Sequence, residues 1–185
     1  MASGGEPSFA ELLSAVADRT PAPGGGSAAA WCGALAAALL EMAASFTGAP
    51  EIAERASTLR EQLVGAGEQE LHSYEPVLAA MRLPADAPLR AEQLEQALAA
   101  ASGPPLAIAQ TAAEVTELAA SVASQSTSAI SGDALAGVLL AEAAVRAAAE
   151  LVKVNRRGRA EDPDLLEARR LSDRAAKARA GVLDG

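Results

Sequence analysis

The sequence predicts an all-α fold, a single multihelical bundle of about six or seven helices with a long helical hairpin. Two observations carry this expectation. Alanine dominates the 185 residues while aromatics make up 2% and the β-branched residues are thinly scattered, which favours helix and leaves little to build a sheet from. Apolar residues also recur at three- and four-residue spacing between breaks marked by proline and glycine. At this length one domain, residues 1–185, holds enough interior to need no disulfide or metal staple.

Taken in order, residues 1–7 are small and polar and read as a frayed, disordered terminus. Ser8 and Glu11 have the spacing of a capping box, which starts a first helix running to about residue 18. Its apolar residues Phe9, Leu12, Leu13 and Val16 form one stripe, so it should lie on a larger body. A second helix, from about residue 27 to 46, is apolar nearly all round and therefore central. Gly33 and the alanines leave little bulk there, so neighbouring backbones can come close. After Thr47-Gly48-Ala49-Pro50, a long helical pattern extends from about residue 51 to 81, with Gly65, Gly67 and Pro76 as expected bend points.

Residues 83–89 hold two prolines and read as a connector. A fourth helix covers about residues 90–101, and after Ser102-Gly103-Pro104-Pro105 a fifth covers about 105–123. The polar stretch 124–128 interrupts, and a sixth helix follows to about residue 154, with Ser131 or Asp133 as its expected cap. Within it Glu142, Arg146 and Glu150 are spaced by four, as in a salt-bridged stripe. Asn155-Arg156-Arg157-Gly158-Arg159 is the densest basic cluster, fitting either a complement to a helix C-terminus or a ligand site. Asp162-Pro163, a cap followed by a first-turn proline, opens the last helix, to about residue 182.

Composition narrows the partners. A net charge of -9 and few aromatics argue against nucleic acid. The one cysteine, Cys32, has no partner in the chain and suits a reducing compartment, where it reads as a small buried hydrophobe. The longest apolar run, residues 27–40, stops at Glu41, short of the roughly 20 residues that a membrane span requires. The N-terminus has no basic leader region, so the expectation is a cytoplasmic protein without a membrane partner.

The segment Thr20-Pro21-Ala22-Pro23-Gly24-Gly25-Gly26-Ser27 stands apart. Its glycines let backbone approach a ligand or another helix, and Ser27 can cap the helix that follows, at an end that favours negative charge. An anion loop and a tight corner both fit. The spacing matches neither GxGxxG nor GxxxxGK[ST] and no lysine follows, so dinucleotide and Walker-type readings fail.

With Ser8-Phe9 and Leu12-Leu13 before it, and Ala28-Ala29-Ala30, Gly33-Ala34-Leu35-Ala36-Ala37-Ala38-Leu39 and Met42 after it, this segment resembles the opening of the formiminotransferase-cyclodeaminase C-terminal domain family. That family includes stand-alone methenyltetrahydrofolate cyclohydrolases. The resemblance continues at Tyr74, Leu83-Pro84, Asp133, Leu139-Leu140-Ala141-Glu142-Ala143-Ala144 and Val152-Lys153-Val154-Asn155, nearly the whole chain. It implies an all-α homodimer acting on the one-carbon unit between N5 and N10 of a tetrahydrofolate substrate, with no prosthetic group and no metal. The cyclohydrolase adds water to the methenyl carbon and opens the ring to 10-formyltetrahydrofolate. The cyclodeaminase closes 5-formiminotetrahydrofolate onto N10 and expels ammonia.

Such chemistry needs carboxylate near a cationic methenyl bridge and a group that takes a proton from water. Asp133, matching the acidic residue of the family's Ser-Asp element, and Glu70 with Tyr74 one turn beyond it, are the catalytic candidates. Pro23, Gly24, Gly25, Gly26, Ser27, Asn155 and Arg156 are the candidate substrate contacts. Glu68 and His72 form a second possible polar pair, and His72, the only histidine, fits either acid–base work or an exposed surface. Where the family commonly carries aspartates, Glu68 and Glu70 are each longer by one methylene. No serine or cysteine sits in a nucleophile elbow. Ala49-Pro50-Glu51-Ile52 replaces a common run of lysines and a tyrosine, removing positive charge that can meet the glutamate tail of folate, and Arg156, Arg157 and Arg159 are candidates to replace it. The leading reading is the cyclohydrolase. Cyclodeaminase and a non-catalytic helical dimer that binds folate or another acidic ligand are the alternatives.

Overall fold

The computed structural model describes residues 7–126 and 128–183, and among them eight helices and no strand. The expected frayed terminus falls, but for Pro7, outside the described residues. Helix α1, Phe9–Ala17, opens with the anticipated capping box: Glu11 N donates to Ser8 Oγ at 3.3 Å and Ser8 N donates to Glu11 Oε2 at 2.7 Å. None of its residues is buried. A loop with a cis Ala22–Pro23 peptide leads into α2, Gly25–Phe46.

Helix α2 starts two residues before the expected point. Extended Gly24 takes the cap position, and Ala28 N donates to its carbonyl at 3.0 Å. Ser27 is therefore not a cap, which corrects the sequence reading: it lies in the first turn, buried, and its hydroxyl donates to the Gly67 carbonyl at 3.4 Å. The long third helix is divided into α3, Pro50–Ser73, and α4, Glu75–Arg82, with Tyr74 as the joint. Pro76 has no N–H for the His72 carbonyl and its ring crowds that turn, so the helix breaks just before it. Gly65 and Gly67 do not interrupt α3. Gly67 instead permits close packing, since a Cβ there would lie 3.2 Å from both Ala30 Cβ and Trp31 Nε1.

Helices α5, Arg90–Ala100, α6, Gly103–Gln125, α7, Ser128–Asn155, and α8, Pro163–Leu183, complete the order. Asp162 caps α8 as expected, accepting from Asp164 N at 3.0 Å and Leu165 N at 3.4 Å. Ser131 and Asp133 do not cap α7, because it already begins at Ser128.

Helix α2 is the central element and packs on α3, α6 and α7. It forms the expected hairpin with α3: a Cβ at Gly33 would meet the Leu63 methyls at 3.2 Å, while Gly26 faces Glu70. It also runs antiparallel to α7, with Gly25 beside Leu151, Cys32 Sγ donating to the Leu140 carbonyl at 3.4 Å, and Gly137 against the Ala36 carbonyl. Leu40, Leu59, Leu63, Ile108, Val115, Val138 and Val145 fill the spaces that the alanines leave. By length and composition α2 could cross a membrane. Its three helical neighbours and the Arg60 Nε–Glu41 ion pair at 3.1 Å make it the core helix of a bundle.

Candidate functional site

The antiparallel register gathers one set of residues at one end of the bundle. The loop of residues 20–24 and the first turn of α2 meet the end of α3, the start of α4 and the C-terminus of α7. At the centre, the half-buried Glu70 lies across Gly26, where a Cβ would stand 2.0 Å from Glu70 Oε1. Glycine at 26 is thus what makes room for the carboxyl. No side chain caps the first turn of α2, so its first amides have no side-chain partner beside this acid.

Glu70 Oε2 accepts from Ser73 Oγ at 3.0 Å. Burial holds the Glu70 carboxyl above the ordinary carboxylate value, with the Ser73 bond partly opposing that shift. A carboxyl so placed takes and returns a proton closer to neutrality than an exposed glutamate does. Tyr74, 37% exposed, stands at the α3–α4 joint and lines a cavity of about 210 Å³ with Pro21, Ala22, Leu71, Glu75 and Leu78. Tyr74 and the loop before α2 therefore share one cavity, while Glu70, four residues before Tyr74, meets the first turn of α2 at Gly26.

Other candidates are placed differently. His72 pairs with Glu75 and not with Glu68: its Nδ1 is 3.0 Å from Glu75 Oε1 on an exposed surface, because the break at Tyr74 brings the start of α4 round to it. Asn155 Nδ2 donates to the Ala101 carbonyl at 2.8 Å, tying the end of α7 to the α5–α6 corner. Arg156 is not free for a substrate, since its guanidinium lies on Asp162, at 3.3 Å, and on Asp164. Arg159 pairs with Glu95.

Asp133 is exposed on α7 and lies away from Glu70. Gly137 sits beside Ala36 whereas Leu151 sits beside Gly25, so Asp133 is at the opposite end of α2 from Gly26. The ten residues from Gly26 to Ala36 alone span about 15 Å of helix axis. Within one chain the two acids do not act on one carbon. The sequence reading missed Ser73, although its three-residue spacing from Glu70 is a usable signal. It also missed the walls formed by Pro21, Ala22, Leu71 and Leu78, which depend on tertiary packing. Among the described residues no group of three or more His, Cys, Asp or Glu could hold a metal ion.

The fold is thus an all-α bundle whose glycine-opened core helix meets a half-buried carboxyl at its start. Residues 8–172 match the formiminotransferase-cyclodeaminase family model, and the chain belongs to that family. It is 32% identical over 169 residues to a methenyltetrahydrofolate cyclohydrolase of Methylorubrum extorquens, covering 83% of this chain and 81% of that protein. It also resembles the crystal structure of a formiminotetrahydrofolate cyclodeaminase from Thermotoga maritima, with a TM-score of 0.84 over 96% of this chain and 94% of the other. At 22% identity the latter establishes the fold.

Proposed function

We propose that this chain hydrolyses 5,10-methenyltetrahydrofolate to 10-formyltetrahydrofolate, with Glu70 as the proton-transfer group. Family membership and the likeness to the Methylorubrum cyclohydrolase supply the substrate class. The observation that carries the chemistry onto this chain is the half-buried Glu70 carboxyl seated on Gly26 in the first turn of α2.

The methenyl carbon shares positive charge with N5 and N10, and a carboxylate beside it stabilises that charge. Water attacks the carbon, a C–O bond forms, and Glu70 accepts the proton released. The tetrahedral carbon then loses its bond to N5, which takes one proton. The remaining hydroxyl proton leaves as the formyl C=O forms, so one proton is released per turnover. Ser73 holds Oε2 and leaves Oε1 at the Gly26 surface. The amides of the first turn of α2 supply donors for an electron-rich group of the pterin, and Tyr74 supplies a hydroxyl at the cavity wall.

The same reading includes a homodimer. Phe9, Leu13 and Leu35 are 69%, 55% and 53% exposed, and with Leu12, Val16, Trp31 and Cys32 they line a groove of about 640 Å³ between α1 and α2. Among the described residues no charged one lines it. In a chain of net charge -9, an uncharged apolar face is where a second copy meets the first with least repulsion.

Purified protein mixed with 5,10-methenyltetrahydrofolate and, separately, with 5-formiminotetrahydrofolate tests the reading. Accelerated loss of methenyl absorbance supports the cyclohydrolase. Ammonia release from the formimino compound alone would overturn it in favour of the cyclodeaminase.

A further inference from the structure

We propose that Arg157 is a specificity-determining residue that captures the carboxylate end of the substrate, the glutamate of tetrahydrofolate. The inference rests on the folate reading above and assigns that substrate's far end to one side chain.

The cations at the end of α7 are not equivalent. Arg156 is neutralised by Asp162 and Asp164, Arg159 by Glu95, and Lys153 Nζ by Glu150 Oε2 at 2.8 Å. Arg157 has no ion-pair partner among the described residues, although it shares the wall of a small cleft with Glu95, Leu98, Ala99 and Asn155. It is an exposed guanidinium that acts on Glu95 only at longer range, that carboxylate being already paired with Arg159, in a chain of net charge -9.

Backbone geometry fixes where this charge stands. Gly25 lies beside Leu151, so α7 continues past the start of α2, and Asn155 follows Leu151 one turn later on the same face. Arg157 then takes a left-handed conformation, φ 54°, which turns the chain out of the helix. Gly158 N closes the end by donating to the Lys153 carbonyl at 2.9 Å. Arg157 thus stands just past the C-terminus of α7, at the end of the bundle that carries Gly24–Gly26 and Glu70.

The substrate is long and bipartite. Its reactive carbon belongs at Glu70, and a stiff aromatic spacer separates that carbon from the glutamate carboxylates. A guanidinium suits the distant end because its planar fork binds carboxylate with two parallel hydrogen bonds, and because it stays charged throughout the working pH range. Asn155 and Arg156, held by Ala101 and by the two aspartates, act as the fixed platform from which Arg157 projects.

Steady-state kinetics of the full chain test this on two probes, 5,10-methenyltetrahydrofolate and its glutamate-free analogue 5,10-methenyltetrahydropteroate. Arg157→Gln should raise KM for the first by about tenfold with kcat within about twofold, and leave KM for the second unchanged. Arg157→Lys should recover part of the loss, and added salt should weaken the wild-type preference for the glutamate-bearing probe. Arg19→Gln, a change at another exposed arginine just before the loop, should match wild type on both. An equal KM rise on both probes, no rise on either, or a rise for Arg19→Gln in place of Arg157→Gln would overturn the assignment while leaving the folate reading intact. A wild-type chain inactive on both probes overturns the folate reading, and this inference with it.

Discussion

At Gly26 a methyl group and the Glu70 carboxyl compete for the same space, since the added Cβ would lie 2.0 Å from Oε1 and 2.3 Å from Cδ. Gly26→Ala should therefore displace a flexible side chain and cut kcat while leaving the helical circular dichroism unchanged. Glu70→Gln removes the proton acceptor without changing its shape and should lower kcat by about 10²-fold or more. Burial raises the Glu70 pKa, so the folded chain holds this proton more tightly than the unfolded chain does. The stabilising contribution of that proton is present below the ordinary carboxylate range and is lost as pH rises through the raised pKa. Glu70→Gln should accordingly melt no lower than wild type at pH 7, whereas activity of the wild type should rise with pH through the Glu70 titration and that limb should vanish in the variant. Asp133→Ala should leave turnover within about twofold, because one chain does not bring residue 133 to the site. A loss of the size expected for Glu70→Gln would contradict a site built from one chain.

Helix ends read correctly from the sequence where the cap is local and incorrectly where tertiary packing competes for the same group. Ser8 with Glu11 and Asp162 with Pro163 satisfy their own first turns, so spacing alone locates them. Ser27 has the right residue type for a cap, but Gly24 serves that position and the Ser27 hydroxyl bonds to Gly67, forty residues on. Asp162→Ala should cost about 1 kcal/mol, read as a fall in the denaturation midpoint, because it frees two amides and one partner of Arg156. Gly67→Ala should cost about 1–3 kcal/mol, since Ala30 and Trp31 already stand at the limit of contact and α2 and α3 must separate. The break at Tyr74 was legible only as a kink, and its consequence, the separate α4 that swings Glu75 onto His72, depends on how the next turn restarts.

For the whole molecule, the helical class and the central place of α2 follow from composition and periodicity, whereas the site depends on register. Nothing in the spacing of Glu70 or Asp133 states which end of α2 each will face; that comes from Gly33 meeting Leu63 and Gly137 meeting Ala36. Small residues set both contacts, so the closeness was legible and the direction was not. The uncharged α1–α2 face predicts a dimer by light scattering at micromolar concentration, and Leu13→Glu combined with Leu35→Glu should give a monomer with unchanged helix content. Proton transfer by Glu70 is decided by following methenyl absorbance at 5,10-methenyltetrahydrofolate concentrations around KM, with wild type and Glu70→Gln in parallel. Wild type should give rapid decay to 10-formyltetrahydrofolate and the variant a rate about 10²-fold lower. Equal rates for the two proteins, or wild-type decay no faster than in buffer alone, would contradict that role of Glu70.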